Sequence, residues 1–220
     1  MTTYLQQIQV CCLCGTENAC TVLGSTNSMG SPDLDLRPPP MERDTMKEWF
    51  QECKSCRYVS VDLALEMKNA QSIVDSDEYQ ALLADSELPE IARRFALCAL
   101  LNSHDRSIAG TALLRSAWVC DDEAQADLAK SFRSQSADML KKLQPFEDDE
   151  EQATVGTMLI DVLRRSERFD EAAKMANQLL KFKAVKRSDV MMAVVKYQLT
   201  LCESGSSVCH QIEEANEAKS

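Results

Sequence analysis

The stretch VCCLCG, residues 10–15, crowds three cysteines into six positions, and ECKSCRY, residues 52–58, supplies two more. Cys11 and Cys14 are separated by two residues, as are Cys53 and Cys56. Two C-x₂-C pairs are the usual composition of a four-thiolate zinc site. In such a site each pair lies on a tight turn whose backbone N–H groups point at the sulfurs. Gly15 follows the first pair, where a turn favours positive φ; Arg57 stands at the matching place after the second. Cys12 has the wrong spacing to Cys14 for such a turn and is expected to point away. The ligands are therefore read as Cys11, Cys14, Cys53 and Cys56, holding one structural Zn²⁺. A catalytic zinc usually keeps an open position beside His or Glu ligands, and no His precedes His104.

Around these pairs TYLQQIQV alternates like a strand, TMKEWFQEC reads as a second strand, and RYVSV as an exit strand. Strands flanking two cysteine turns make a zinc ribbon, residues 1–61. A long insertion, STNSMGSPDLDLRPPP (25–40), interrupts it with turn residues and an extended Pro run. A long polar loop beside a rigid element is a place for binding residues, so Asp33, Asp35 and Arg37 are candidate partner contacts.

From residue 62 the texture is helical. The whole chain has 220 residues, 45% hydrophobic but only 5% aromatic, with six Gly; such an aliphatic composition favours helices. About eight helices are expected, among them SELPEIARRFALCALLNS with Ser86 as N-cap, DDEAQADLAKSFRSQSADMLKKL and EDDEEQATVGTMLIDVLRRS. These last two place acids first and bases last, as the helix dipole prefers. The acidic run 147–151 is read as an ordinary helix start. Short loops make neighbouring helices antiparallel. The fold class is α+β, mostly α: a small ribbon followed by a helical-repeat array over 62–220. Its helical region from about residue 72 to 220 has apolar stripes and length enough to fold without metal.

LIDVLRRSERFDEAAKMANQLLK resembles a tetratricopeptide unit, with Ile160 and Leu163 on its first helix and Phe169 before the small residue Ala172. FALCALLNSHDRSIAGTALLRSAW is similar, through Leu97, Leu100 and Ala109, but the two Ala positions are 63 residues apart, so the repeat is irregular. The C-x₂-C-G turn, GSPDLDLRPPPM, the second C-x₂-C followed by YVS, and the helical pieces YQALLAD, LPEIARRF and SAWVCDDE together resemble a group of uncharacterised bacterial proteins. That group has an N-terminal zinc ribbon and a C-terminal tetratricopeptide-like region, and the resemblance covers residues 8–180. It implies fold and zinc, and no activity.

The net charge is −11, with −2 in residues 1–60 and −9 in the remainder. So acidic a chain does not attract phosphate backbones, and nucleic acid is not expected as a partner. No apolar run is long enough for a membrane span, and MTTYLQQIQV has no signal-peptide layout, so a cytoplasmic location is expected. There, ten cysteines speak for metal or redox chemistry rather than disulfides. Cys98, Cys120 and Cys202 fall on apolar stripes and are read as core residues; Cys202, Cys209 and His210 are weighed as a second metal cluster and set aside. No nucleophile–base set or phosphate loop occurs. The function expected is a non-catalytic zinc-binding interaction scaffold, taking a protein or peptide segment on its concave helical face. Its rivals are a redox-sensitive zinc switch, with Cys12 and Cys20 near the ligands, and a zinc-ribbon nucleic-acid module.

Overall fold

A computed structural model describes residues 1–143 and 149–218. Of the acidic run 147–151, Glu147 and Asp148 lie outside the described residues. Strands β1 (Thr3–Val10) and β2 (Glu17–Ser25) form one antiparallel hairpin, in register from Tyr4↔Leu23 to Val10↔Glu17. β3 (Gln51–Glu52) and β4 (Val59–Ser60) form a second, much shorter one. Part of the strand expected over TMKEWFQEC is instead a 3-10 helix, Arg43–Glu48, and only Gln51–Glu52 are extended. Met46, Trp49 and Phe50 stand at i, i+3 and i+4, a helical spacing. The 3-10 turn buries Met46 and stacks Trp49 and Phe50 edge-on against Phe95.

Ten helices follow among the described residues: α1 (Ala70–Val74), α2 (Asp77–Ala84), α3 (Glu90–Leu101), α4 (Arg106–Asp122), α5 (Ala126–Leu140), α6 (Glu150–Arg165), α7 (Phe169–Leu179), α8 (Lys183–Arg187), α9 (Asp189–Glu203) and α10 (Ile212–Glu217). Side-chain caps set several starts. Ser76, Asp105, Asp149 and Ser188 each accept a backbone N–H from the first turn of the helix that follows. Ser86 does not cap α3, which begins after Pro89. Asp121 and Asp122 end α4 rather than opening α5, a placement the helix dipole disfavours. Arg37, Arg133 and Arg165 offset that cost by pairing with them.

Consecutive helices pack α3 on α4, α4 on α5, α5 on α6 and α6 on α7, and α9 packs on both α6 and α7. The small residues set the spacing. Ala109 and Ala172 are fully buried, and a Cβ placed on Gly110 would come within 2.8 Å of Leu140 Cγ. The larger apolar cluster joins the ribbon to the helices: Tyr58, Val59 and Leu63 belong to it together with Phe95, Leu97 and Leu163. The hairpins are further tied to the helices by Tyr79, whose hydroxyl donates to the Arg57 carbonyl at 2.8 Å, and by Arg94, which donates to Glu52 at 3.3 Å.

Candidate metal centre

Each C-x₂-C pair is itself a hairpin turn. In the first, Cys11 N–H donates to Thr16 O at 2.9 Å and Gly15 N–H to Cys11 O at 2.8 Å. The second repeats the pattern: Cys53 N–H donates to Tyr58 O at 2.8 Å and Arg57 N–H to Cys53 O at 3.0 Å. Gly15 and Arg57 both have positive φ, 71° and 65°. The arginine therefore takes the left-handed conformation that glycine takes in the first turn, at a steric cost. Its carbonyl bond to Tyr79 and its side-chain pairing with Glu52 hold it there.

The two turns face each other. Cys11 Sγ lies 3.6 Å from Cys56 Sγ, Cys14 Sγ lies 3.5 Å from Cys53 Sγ, and all four sulfurs fall within 4.8 Å of one another. A tetrahedral zinc with Zn–S bonds of about 2.3 Å needs sulfurs about 3.8 Å apart, so this donor set fits a metal ion with little movement. Among the described residues it is the one group of thiols, imidazoles and carboxylates so arranged. Cys11 and Cys53 are buried, Cys56 is partly covered and Cys14 is exposed. The backbone at Leu13 and Cys14 favours the thiolate of Cys11, and that at Tyr58 the thiolate of Cys56, each against the opposing effect of burial. The Asn18 side chain spans the two turns, donating to Cys53 Sγ at 3.7 Å while accepting Lys54 N–H at 2.9 Å. Such bonds favour thiolate charge. The hydroxyl and amide of Thr16 draw the Cys14 thiol down to about 6, whereas burial pushes Cys56 up.

Cys12 turns away from this group. Its thiol lies 3.3 Å from the Leu65 carbonyl and its amide donates to Leu63 O. Cys20, a residue of β2, is buried, and Cys98, Cys120 and Cys202 are buried among the helices. His210 hydrogen-bonds Glu214 at 2.7 Å and lies 3.1 Å from the Tyr197 hydroxyl, while Cys209 is exposed.

The residues read from the sequence as partner contacts, Asp33, Asp35 and Arg37, are turned inward, each less than 5% exposed. Segment 31–37 is a strap laid across the helices. Leu34 packs against Val194, Leu201 and Ala215. Asp35 is fully buried; it accepts from Trp118 Nε1 at 2.9 Å, Arg133 at 3.2 Å and Arg165 at 3.4 Å. Arg37 reaches Asp121 and Asp122, and Asp33 pairs with Arg43. Burial raises the Asp35 carboxyl, but the two guanidiniums and the indole N–H more than cancel this and hold it below the usual carboxylate range. The physical reason for the inward turn is charge: Arg133 stands on the buried face of α5 and needs a counter-ion there. No helix among the described residues is long and apolar enough to cross a membrane. Comparison with family models, with curated proteins and with solved structures finds no match to this chain.

If a metal ion held by these four thiols is removed, the hairpins lose their cross-link while the helices keep the part of the shared core that runs from Phe95 to Val195. Most of the far-UV helical signal is expected to survive a strong chelator, with loss confined to the environment of Trp49 and Tyr58. Near-UV and far-UV circular dichroism, recorded together, check this. Collapse of the helical signal would show that the metal holds the whole core.

Proposed function

We propose that this chain is a non-catalytic interaction scaffold in which a structural zinc, bound by Cys11, Cys14, Cys53 and Cys56, fixes a ribbon against a tetratricopeptide-like helical array. The observation that supports the reading is an open groove between α2, α3, α4 and α5, with a volume of about 480 Å³. Leu82, Leu100, Leu113, Leu128, Phe132 and Met139 line it, and Glu78 and Asp85 stand on its rim. An apolar floor with an acidic rim suits an amphipathic segment carrying Lys or Arg beside its apolar anchors. Zinc acts here as a staple: it contributes folding energy and leaves no open coordination position for substrate. Selection from a displayed peptide library tests the proposal. Enriched sequences should pair apolar residues at i, i+3 or i+4 and i+7 with basic residues, and Leu100→Lys should abolish their binding. No enrichment, or equal enrichment on the Leu100→Lys variant, would remove the groove from the account.

A further inference from the structure

The outermost strand of the molecule is unprotected. Seven of the eight residues of β1 are exposed, and only Gln9 is buried. Tyr4, Leu5 and Ile8 are 43%, 52% and 66% exposed. β1 pairs with β2 alone. The far side of β2 is covered, since the Gln51 side chain donates to Thr21 O at 2.8 Å; among the described residues, no backbone hydrogen bond joins the far side of β1 from Tyr4 to Ile8 to another segment. Backbone alternation shows which groups face outward. The Cys11 amide and carbonyl serve the β2 side, through Thr16 and Gly15, whereas the next amide, Cys12, donates outward to Leu63 O. Counting back by twos, the N–H and C=O groups of Ile8, Gln6 and Tyr4 also point outward, over the exposed stretch.

Edge strands are normally blunted by Lys, Pro, a bulge or a cover. Here the bulge falls between Thr3 and Tyr4, at the outer end of the exposed stretch, and residues 1–16 contain no charged side chain and no Pro. A two-stranded hairpin is marginal in water and gains from further strands.

We infer that this edge is a self-association surface: two copies of the chain join β1 to β1 antiparallel about a two-fold axis at Gln6, making a four-stranded sheet. The axis places Gln6 opposite its own copy and Tyr4 opposite Ile8 twice, aromatic against β-branched, a favourable cross-strand pair. Each of these pairs exchanges two backbone hydrogen bonds, because their polar groups face outward. Charge singles out a second copy as the occupant. With −11 on each chain, copies repel over most of their surface, and the uncharged strand β1 is where they can meet without opposing carboxylates. The arrangement is isologous and closes at two.

Light scattering coupled to size exclusion, run from about 5 to 100 μM protein, tests this. The expected mass is twice the 24.6 kDa chain. Gln6→Pro removes an outward N–H and leaves the backbone bonds to β2 in place, losing only the exposed side-chain pair with Thr21, and Ile8→Lys sets a charge against the partner strand. Each should return the mass to that of one chain at concentrations where the native protein is paired, with four-thiolate metal content intact. Hydrogen exchange of the native protein supplies a readout independent of any variant: the amides of Tyr4, Gln6 and Ile8 should gain protection as concentration rises. A single-chain mass at every concentration overturns the inference. So does a double mass without protection at those amides, or one that persists in metal-loaded variants.

Discussion

Serine at Cys11, Cys14, Cys53 or Cys56 should strip the metal and loosen both hairpin turns, while Cys12→Ser should do neither. The expectation rests on where the sulfurs are. Four of them approach one another at tetrahedral distances; the fifth, at Cys12, lies against the Leu65 carbonyl. Structural zinc in finger peptides is worth about 10–16 kcal/mol of apparent binding free energy coupled to folding. Three thiolates cannot retain most of that. The turns themselves are too small to replace it, because β3 and β4 have two residues each. Metal per chain after dialysis against a mild chelator decides the matter. The native protein and Cys12→Ser should keep one equivalent, and each ligand variant should fall near zero. Retention by Cys11→Ser with loss from Cys12→Ser would mean that the first turn binds in a different register.

Asp35→Ala should be the most damaging substitution outside the metal centre. It leaves the Trp118 indole without an acceptor and takes from Arg133 and Arg165 a carboxylate they share. Breaking a buried ion pair from one side costs about 3–5 kcal/mol. With a urea slope of about 2 kcal/mol per molar, the unfolding midpoint should drop by about 2 M. A drop below about 0.5 M would show that Asp121 alone satisfies both arginines. The pH dependence has a definite sign. The folded carboxyl titrates below its unfolded value, so its contribution is present above the ordinary carboxylate range near pH 4. It fades as pH falls through that range toward the folded value. The gap between native protein and Asp35→Asn should therefore close on acidification and stay open at neutral pH.

The cysteine cluster and the helical character were legible because both are local. Two residues between thiols and a glycine after them describe a turn in a few positions, and α3, α6 and α9 are long enough to show their period. Helices α1 and α8, five residues each, are shorter than any window in which a period appears. The inward turn of the strap was not legible, for a different reason. Asp35 meets Arg133 and Arg165 across 98 and 130 residues, a distance over which no local pattern speaks. The available signal lay in the helices instead. Arg133 follows Ala129 by four and precedes Ala137 by four, which puts a guanidinium on the buried stripe of α5. A charge at a core position asks for an opposite charge from elsewhere in the chain, and the Asp-rich insertion could supply it.

The strap also decides when the molecule can be finished. Ile212 N–H donates to Pro32 O, Leu34 N–H to His210 O, and Glu213 N–H to Ser31 Oγ across 182 residues. At synthesis rates of about 5–20 residues per second, residues 31–34 leave the ribosome about 10–40 s before the residues that complete their bonding. During that interval Leu34 has none of its final neighbours, Val194, Leu201 and Ala215. The nascent chain must carry an early segment whose place is made only by helices about 180 residues further along, so the strap can close only long after its own residues have emerged.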